Sequence, residues 1–410
     1  MYFEKQILGV LRNEVGPDAC DNVVLVGDMN NDGWNDIVLC GHNGTLAILR
    51  NGELYRRWDR VVIDENVSGV STAAALCDLT GNGLPDILLS GDSTSDEVVW
   101  YENPGDLEGQ WTRHVAFATG NPGFSDMVLA DNLLGDGRRC LLVVNQTENG
   151  SRVLCAPLPA DAASPWADPM VLADGLMDEN AECGISAPST GLAVGDLDGD
   201  GHLEFVCGNY WFKREGSAFA QHRYCTGKVS CRIALGDVDG KDDLEIVVCE
   251  SAAISEYELS GATLSVFRQG VDITQPWEEQ VLSDSINDCG ALLVGSFTDN
   301  RLPDIIVGEI GQEGLTRSLC TFKKPAHLGG FVFSADKTRY LSQGDAPVIR
   351  LFTTENGADF REQLLSADTG MFVGTLADVL HTHTDRLSLI GMPKIGAERW
   401  GLHCFTALDR

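Results

Sequence analysis

The feature that most constrains the fold of this chain is an acidic, glycine-containing loop that recurs between two short apolar runs. Its pattern is D-x-[DN]-x-[DN]-G-x-x-[DE], and the first copy occupies Asp28, Asn30, Asp32, Gly33 and Asp36. Further copies begin at Asp78, Asp196, Asp237 and Ser296, with weaker ones near Asp131 and Asp378. Repetition at an interval of a few tens of residues predicts a repeat architecture and not a set of unrelated domains.

A second recurring signal is a segment that begins with an aromatic residue and closes each unit. Such segments start at Trp58, Trp111, Trp166, Phe219, Trp277 and Phe360, and the first five are spaced by 53 to 58 residues. A seventh copy lies at the start of the chain, in the run Phe3-Glu-Lys-Gln-Ile-Leu. Seven loops therefore match seven closing segments.

The pattern predicts an all-β fold, because apolar runs of four to eight residues between Gly, Asn and Asp turns are typical of strands. We expect residues 1–410 to form one domain, a seven-bladed β-propeller of four-stranded antiparallel blades. The N-terminal strand would complete the last blade and close the ring, which removes exposed sheet edges. An insertion at about 312–345, which delays Phe360, is expected to lie over the top face, opposite the acidic loops.

The stretch Glu97-Val-Val-Trp-Tyr-Glu-Asn-Pro-Gly105, followed by Trp111-Thr-Arg-His-Val, carries a resemblance. Together with the acidic loops it resembles the FG-GAP and VCBS-repeat propellers. The chain is similar to propeller polysaccharide lyases and to the aldos-2-ulose dehydratase propeller. The resemblance implies the fold, but one propeller supports many functions, so it implies an activity only weakly.

The acidic loops are candidate metal sites, because they gather the oxygen ligands that calcium prefers. The predicted ligands are Asp28, Asn30, Asp32 and Asp36 in blade one, Asp78, Thr80, Asn82 and Asp86 in blade two, and Asp196, Asp198, Asp200 and Glu204 in blade four. We expect structural calcium, with magnesium as the alternative. In blade five Lys241 stands at a ligand position, so its ammonium is expected to replace the ion and pair with Asp237, Asp239 and Glu245.

The net charge of −32 argues against nucleic acid and anionic membranes as partners, because both require a basic surface. The N-terminus lacks the basic and apolar regions of a secretory signal. The 13 cysteines, with Cys40, Cys207 and Cys249 in apolar strands, favour reduced, buried thiols over a disulfide framework. These observations predict a cytoplasmic location.

Candidate functional residues follow from aligning the repeats, which places certain side chains at the top of the ring. The predicted catalytic set is His42, Tyr210, Lys228 and Arg232, and the predicted substrate-binding set is Asp92, Arg223, Glu250, Asp288, Glu309 and Lys323. These residue types replace the Gly or Ser that a bare repeat would tolerate at the top of the ring. The basic members suggest a face that holds a carboxylate.

Three functions fit these residues. The first is a lyase that performs β-elimination on a uronic-acid-containing saccharide, with Arg232 and Lys228 neutralising the carboxylate and His42 and Tyr210 exchanging protons. The second is a non-catalytic propeller that binds a glycan or a protein on its top face. The third is glycoside hydrolysis through paired carboxylates such as Glu250 and Glu309.

Overall fold

The computed structural model describes residues 2–10, 22–52, 58–180, 185–250, 262–286, 289–298, 300–310, 317–318, 321–323, 332–334, 338–339, 347–380, 386–393 and 401–408. Every regular element in these ranges is a β-strand. The first two blades and the N-terminal strand comprise β1 (Tyr2–Val10), β2 (Val23–Gly27), β3 (Asp36–Cys40), β4 (Gly44–Asn51), β5 (Trp58–Val67), β6 (Val70–Cys77), β7 (Asp86–Gly91), β8 (Glu97–Glu102) and β9 (Thr112–Ala118).

Blades three to five follow in the same order. Their strands are β10 (Phe124–Asp131), β11 (Arg139–Thr147), β12 (Gly150–Pro157), β13 (Met170–Asn180), β14 (Ile185–Pro188), β15 (Leu192–Gly195), β16 (Glu204–Cys207), β17 (Tyr210–Glu215), β18 (Ala218–Arg223), β19 (Cys231–Gly236), β20 (Glu245–Glu250), β21 (Ala262–Arg268) and β22 (Glu278–Ile286).

Blades six and seven and the insertion complete the chain. Their strands are β23 (Cys289–Gly295), β24 (Asp304–Glu309), β25 (Arg317–Ser318), β26 (Thr321–Lys323), β27 (Val332–Ser334), β28 (Thr338–Arg339), β29 (Ile349–Thr354), β30 (Phe360–Ser366), β31 (Val373–Ala377), β32 (Ser388–Met392) and β33 (Gly401–Leu408).

The sheets form a seven-bladed β-propeller of antiparallel blades, as the repeats predict. Blades one to six each use consecutive strands, except that blade six omits the insertion strands, and blade three carries β14 as a fifth strand. The inner strands β2, β6, β10, β15, β19, β23 and β31 contact one another in ring order, and β2 meets β31. The inner strands therefore surround a central channel.

The N-terminal strand is the outermost strand of blade seven, whose order is β1-β33-β32-β31. It pairs antiparallel with β33, from Tyr2 opposite Leu408 to Val10 opposite Gly401. The chain start therefore occupies the position that the count of closing segments predicts for it.

The core lies between blades and not inside any one of them. Seven apolar clusters of described residues each join two neighbouring blades, including one that joins blade seven to blade one through Ile390 and Ile37. The middle strands are apolar on both faces because each sheet is covered on both sides. The ten cysteines in the described ranges are all buried.

The insertion contributes two short ladders, β25 with β28 and β26 with β27. Strand β26 contacts β14 of blade three. No helix in the described part of the chain is long and apolar enough to cross a membrane.

Candidate functional site

The last acid of the bottom loop serves the architecture in blades one and two. Asp36 is fully buried and accepts hydrogen bonds from the backbone N–H groups of Met29 (3.1 Å) and Asn51 (2.7 Å). Asp86 accepts in the same way from Leu79 and Asn103. Burial raises the pKa of Asp36 to about 6, although the two N–H groups oppose the shift.

The other predicted ligands of blades one and two are engaged by their own loops. Asp28 accepts from the N–H groups of Asp32 (3.1 Å) and Gly33 (2.8 Å), and Asp78 accepts from Gly81 (2.7 Å) and Gly83 (2.9 Å). Asn30 accepts from the N–H of Asp32, Asn82 accepts from that of Leu84, and the N–H of Thr80 donates to Asp86. These loops are closed by side-chain-to-backbone hydrogen bonds of the kind found in Asx turns.

Carboxylates converge in blade four, where ligand atoms of Asp196, Asp198 and Glu204 all lie within 4.8 Å of one another. Asp198 Oδ1 is buried and has no hydrogen-bond partner. Burial raises the pKa of Glu204 to about 7. The cluster also receives Lys213 of β17, whose ammonium donates to Asp198 and, at 2.7 Å, to Asp200.

A second convergence lies in blade five, where Asp237, Asp239 and Glu245 meet the same 4.8 Å limit. Asp239 Oδ1 is buried without a hydrogen-bond partner, while its Oδ2 accepts from Lys241 at 2.6 Å and from Arg268 at 3.3 Å. Lys241 Nζ thus pairs with Asp239, whereas the sequence also predicted pairs with Asp237 and Glu245. Both clusters could hold a metal ion, because each offers several carboxylate oxygens and one that no proton donor satisfies.

Lys213 is a residue whose role the sequence reasoning missed. The alignment of repeats places it toward the bottom rim, and the same alignment places the acidic loops there. Combining those two placements would have predicted the contact between the ammonium and the carboxylates of blade four.

A cavity of about 350 Å³ lies at the ring centre, in the upper half of the channel. It is lined by residues at or near the start of all seven inner strands, and most of these residues are small or apolar. Among the lining residues that the structure describes, Arg232 of β19 and Asp126 of β10 carry a charge. Asp126 accepts a hydrogen bond from the N–H of Gly191 at 3.0 Å, and Arg232 Nε donates to the carbonyl of Gly290 at 3.2 Å.

Arg232 forms no ion pair with any described residue. Its guanidinium therefore lines the cavity without a described carboxylate bonded to it. His42, Tyr210 and Lys228 are not part of the cavity lining that the structure describes. The predicted catalytic set is therefore distributed around the ring.

His42 and Asp92 meet at the top of blades one and two. His42 Nδ1 lies 3.2 Å from Asp92 Oδ2 and 3.3 Å from the carbonyl oxygen of Val70. The imidazole is 41% exposed and the carboxylate 13%. A carboxylate that fixes one ring nitrogen leaves the other to exchange a proton, which is the usual arrangement of a histidine base.

Tyr210 and Arg223 also meet, in blade four. The Arg223 guanidinium carbon lies 4.9 Å from the centre of the Tyr210 ring, and its Nη2 donates to the Tyr210 hydroxyl. The hydroxyl in turn donates to the carbonyl of Met177 at 3.3 Å. The tyrosine ring is buried and Arg223 is exposed.

Lys228, Glu250 and Glu309 belong to buried ion pairs. Lys228 Nζ lies 2.8 Å from Glu279 and 3.5 Å from Glu250, and only 8% of its side chain is exposed. Although burial lowers the pKa of Lys228, the neighbouring carboxylates outweigh it and raise the pKa above its ordinary value. Glu309 pairs with Arg350 at 2.6 Å. The carboxylates of Glu250 and Glu309 are thus held in different blades by different cations.

Two predicted substrate-binding positions carry no side-chain description. Asp288 lies outside the described residues. Lys323 ends β26, of which the backbone alone is described.

Asp178 of β13 is a buried acid that the sequence reasoning did not single out. Its Oδ1 accepts from the Ser189 hydroxyl (2.8 Å) and the Asn209 N–H (3.0 Å), while its Oδ2 is buried without a partner. Burial raises the pKa of Asp178 to about 7. It follows no repeat pattern, so no signal in the sequence distinguished it from the many exposed acids.

Comparison with known proteins matches two segments to family models, the FG-GAP-like repeat at residues 28–89 and the FG-GAP repeat at 189–221. No curated protein sequence matches. Fold and repeats together define a seven-bladed β-propeller that carries FG-GAP repeats.

The solved structures that resemble this one include proteins of different kinds. The BP39L lectin from Burkholderia pseudomallei is 11% identical, with a TM-score of 0.56 over 95% of this chain and 96% of that one. BBS1N, solved in complex with ARL6DN, is 12% identical, with a TM-score of 0.52 over 100% of this chain and 96% of that one. The Bacillus licheniformis rhamnogalacturonan lyase PL11 is 13% identical, with a TM-score of 0.52 over 100% of this chain and 76% of that one. At such identities the likeness concerns the fold alone.

Proposed function

We propose that this propeller binds a carboxylated saccharide at the upper mouth of its central channel. The observation that supports the proposal is Arg232, a guanidinium that lines a cavity of about 350 Å³ and forms no ion pair with a described residue. Arginine binds carboxylates through paired N–H groups, and a cavity of this size matches the smaller ligand pockets of proteins. A lectin and a saccharide lyase among propellers of this fold are compatible with such a ligand.

Calorimetric titration with a trisaccharide of galacturonic acid, and with its methyl ester, tests this proposal. We expect saturable binding of the acid, and we expect Arg232→Gln to weaken it about tenfold or more, because a charge-assisted hydrogen bond to the carboxylate is lost. Arg138→Gln, which removes an exposed arginine of a bottom loop, is the matched control. Equal binding of acid and ester, or no effect of Arg232→Gln, would contradict the proposal.

A second candidate is β-elimination on the same ligand, favoured by the oriented and accessible imidazole of His42. Neutralising the carboxylate lowers the pKa of the adjacent C–H, so the His42 imidazole can take that proton. The electron pair of the C–H bond then forms the C=C bond, the C–O bond at the β-carbon breaks, and the leaving oxygen takes a proton from water. Ultraviolet absorbance of an unsaturated uronate would report turnover during the same titrations. Loss of that signal in His42→Gln, with binding retained, would assign the base, whereas a flat trace for the unaltered protein leaves binding as the function.

The acidic cluster of blade four is proposed to hold calcium, with magnesium as the alternative, whereas in blade five the Lys241 ammonium, which already pairs with Asp239, is proposed to take the place of the ion. The all-oxygen ligand set of blade four suits hard cations. In this role the ion would brace a bottom loop and would take no part at the channel mouth.

A further inference from the structure

A second cavity, of about 270 Å³, lies between blades one and two, away from the channel lining. We call it the inter-blade groove. Its polar lining includes Asp64, Asn66, Ser90, Glu97, Tyr101 and Arg113. Val67, Val70, Leu89 and Val99 give it an apolar wall.

The floor of the groove is a hydrogen bond between the two blades. The Tyr101 hydroxyl of β8 donates to Asp64 Oδ2 of β5 at 2.7 Å, and the N–H of Asn66 donates to Asp64 Oδ1 at 2.8 Å. Tyr101 is 2% exposed, so it is fixed by packing as well as by this bond. The carboxylate of Asp64 is therefore held in one orientation.

The rim of the groove is an accessible ion pair. Arg113 Nη2 lies 2.8 Å from Glu97 Oε2, and the two side chains are 45% and 35% exposed. Rim and floor together offer acceptors on Asp64 and Glu97 and donors on Arg113. A ligand in this space would therefore find both hydrogen-bond donors and hydrogen-bond acceptors within the groove.

Tyr101 departs from the repeat at this position. In blades one, four, five and six, the residue after the last loop acid pairs with a residue of the next strand of the blade. That partner is Leu49 in blade one, Phe212 in blade four, Phe267 in blade five and Phe352 in blade six. In blade two the same register position, opposite Ile87, holds Tyr101. Packing between blades is satisfied by Leu or Phe, so the fold does not require the hydroxyl.

We propose that the inter-blade groove is a second ligand site, which takes one ring of an uncharged saccharide. Sugar hydroxyls would donate to Asp64 and Glu97 and accept from Arg113, while the C–H face of the ring would lie on the apolar wall. Asp64, Glu97 and Arg113 sum to one negative charge, which disfavours a carboxylated ligand. A free cation is disfavoured as well, because Arg113 already pairs with Glu97 and the Tyr101 hydroxyl already donates to Asp64. The site is independent of the channel mouth.

Ligand-observed NMR titration of the full chain with D-glucose, D-galactose, D-mannose and N-acetyl-D-glucosamine tests the proposal. We expect saturable binding of at least one sugar. Arg113→Met should weaken it about tenfold by removing a charged hydrogen bond to the sugar, and Tyr101→Phe should weaken it about fivefold, because the Asp64 carboxylate loses the hydroxyl that orients it. Arg138→Met is the matched control, and thermal unfolding of each variant confirms that it is folded.

Several results would overturn the proposal. One is the absence of saturation for all four sugars, and another is binding that neither Tyr101→Phe nor Arg113→Met changes. If Arg232→Gln abolishes binding of the sugar, the sugar binds at the channel mouth and not in the groove. Because Arg232→Gln affects only the channel and Tyr101→Phe only the groove, failure of one proposal is distinguishable from failure of the other.

Discussion

At the scale of single residues, this protein uses buried carboxylates in two ways. The last loop acids Asp36 and Asp86 accept hydrogen bonds from backbone N–H groups and fasten the bottom loops of blades one and two to their blades. Asp178 instead keeps one oxygen without a partner in a buried position. A buried acid of this kind is favoured in its protonated form.

Asp178 should make stability depend on pH. Because its folded-state pKa is raised from 3.8 to about 7, the folded protein retains a proton that the unfolded chain releases. The free energy of unfolding should therefore fall as pH rises through this interval and level off above it. Because the side chain of Asp178→Asn cannot ionise, we expect the free energy of unfolding of this variant to exceed that of the unaltered protein by about 2 kcal/mol at about pH 8. The difference should be smaller at about pH 5.5.

Urea denaturation of both proteins at the two pH values measures this difference. Asp136→Asn, at an exposed position in the bottom loop of blade three, is the control for a general change of charge. A stability difference that stays constant with pH would show that Asp178 is ionised in the folded protein.

At the scale of elements, the outer strand of each blade follows one rule. The fourth residue after the leading aromatic is an exposed apolar side chain at Ile7, Val62, Val115, Met170, Val281 and Leu364. Blade four has Arg223 there, and this arginine reaches the ring of Tyr210. The leading aromatic itself points toward the neighbouring blade, as Phe3 does against Phe297 of blade six, with ring centres 5.7 Å apart.

Phe3 should therefore carry much of the stability that β1 contributes. Phe3→Ala removes a ring that packs on the cluster between blades six and seven, and we expect it to lower the free energy of unfolding by about 2–3 kcal/mol. Ile7→Ala in the same strand removes an exposed side chain and should change it by less than about 0.5 kcal/mol. Equal effects in urea denaturation would show that β1 is held by its backbone ladder alone.

At the scale of the whole molecule, a net charge of −32 opposes the compact state through repulsion among like charges. Screening should reduce that repulsion, so we expect the thermal unfolding midpoint to rise between about 20 mM and about 300 mM sodium chloride. Differential scanning calorimetry measures it. A midpoint that falls with salt would show that local pairs such as Lys213 with Asp200 outweigh the net charge.

The number of blades was predictable because its signals are local. Each strand is an apolar run beside a turn, and each acidic loop repeats at nearly constant spacing, so a count along the chain gives the count around the ring. Even the position of β1 follows from that count, since Phe3 begins a closing segment with no blade of its own at the start of the chain.

The candidate sites depended on tertiary structure. Aligned repeats place His42, Tyr210, Lys228 and Arg232 at the same end of their blades, but only folding decides which of them faces the channel. Lys228 lies beside Glu250 and Glu279 and forms ion pairs with both. Arg232 forms no ion pair with a described residue, and its guanidinium lines the cavity. Sequence alone determined the number of blades and the position of their loops, because each of these signals lies in a contiguous stretch of the chain. Tertiary structure decided which charges are paired and which line a cavity, because the partners come from different strands and blades.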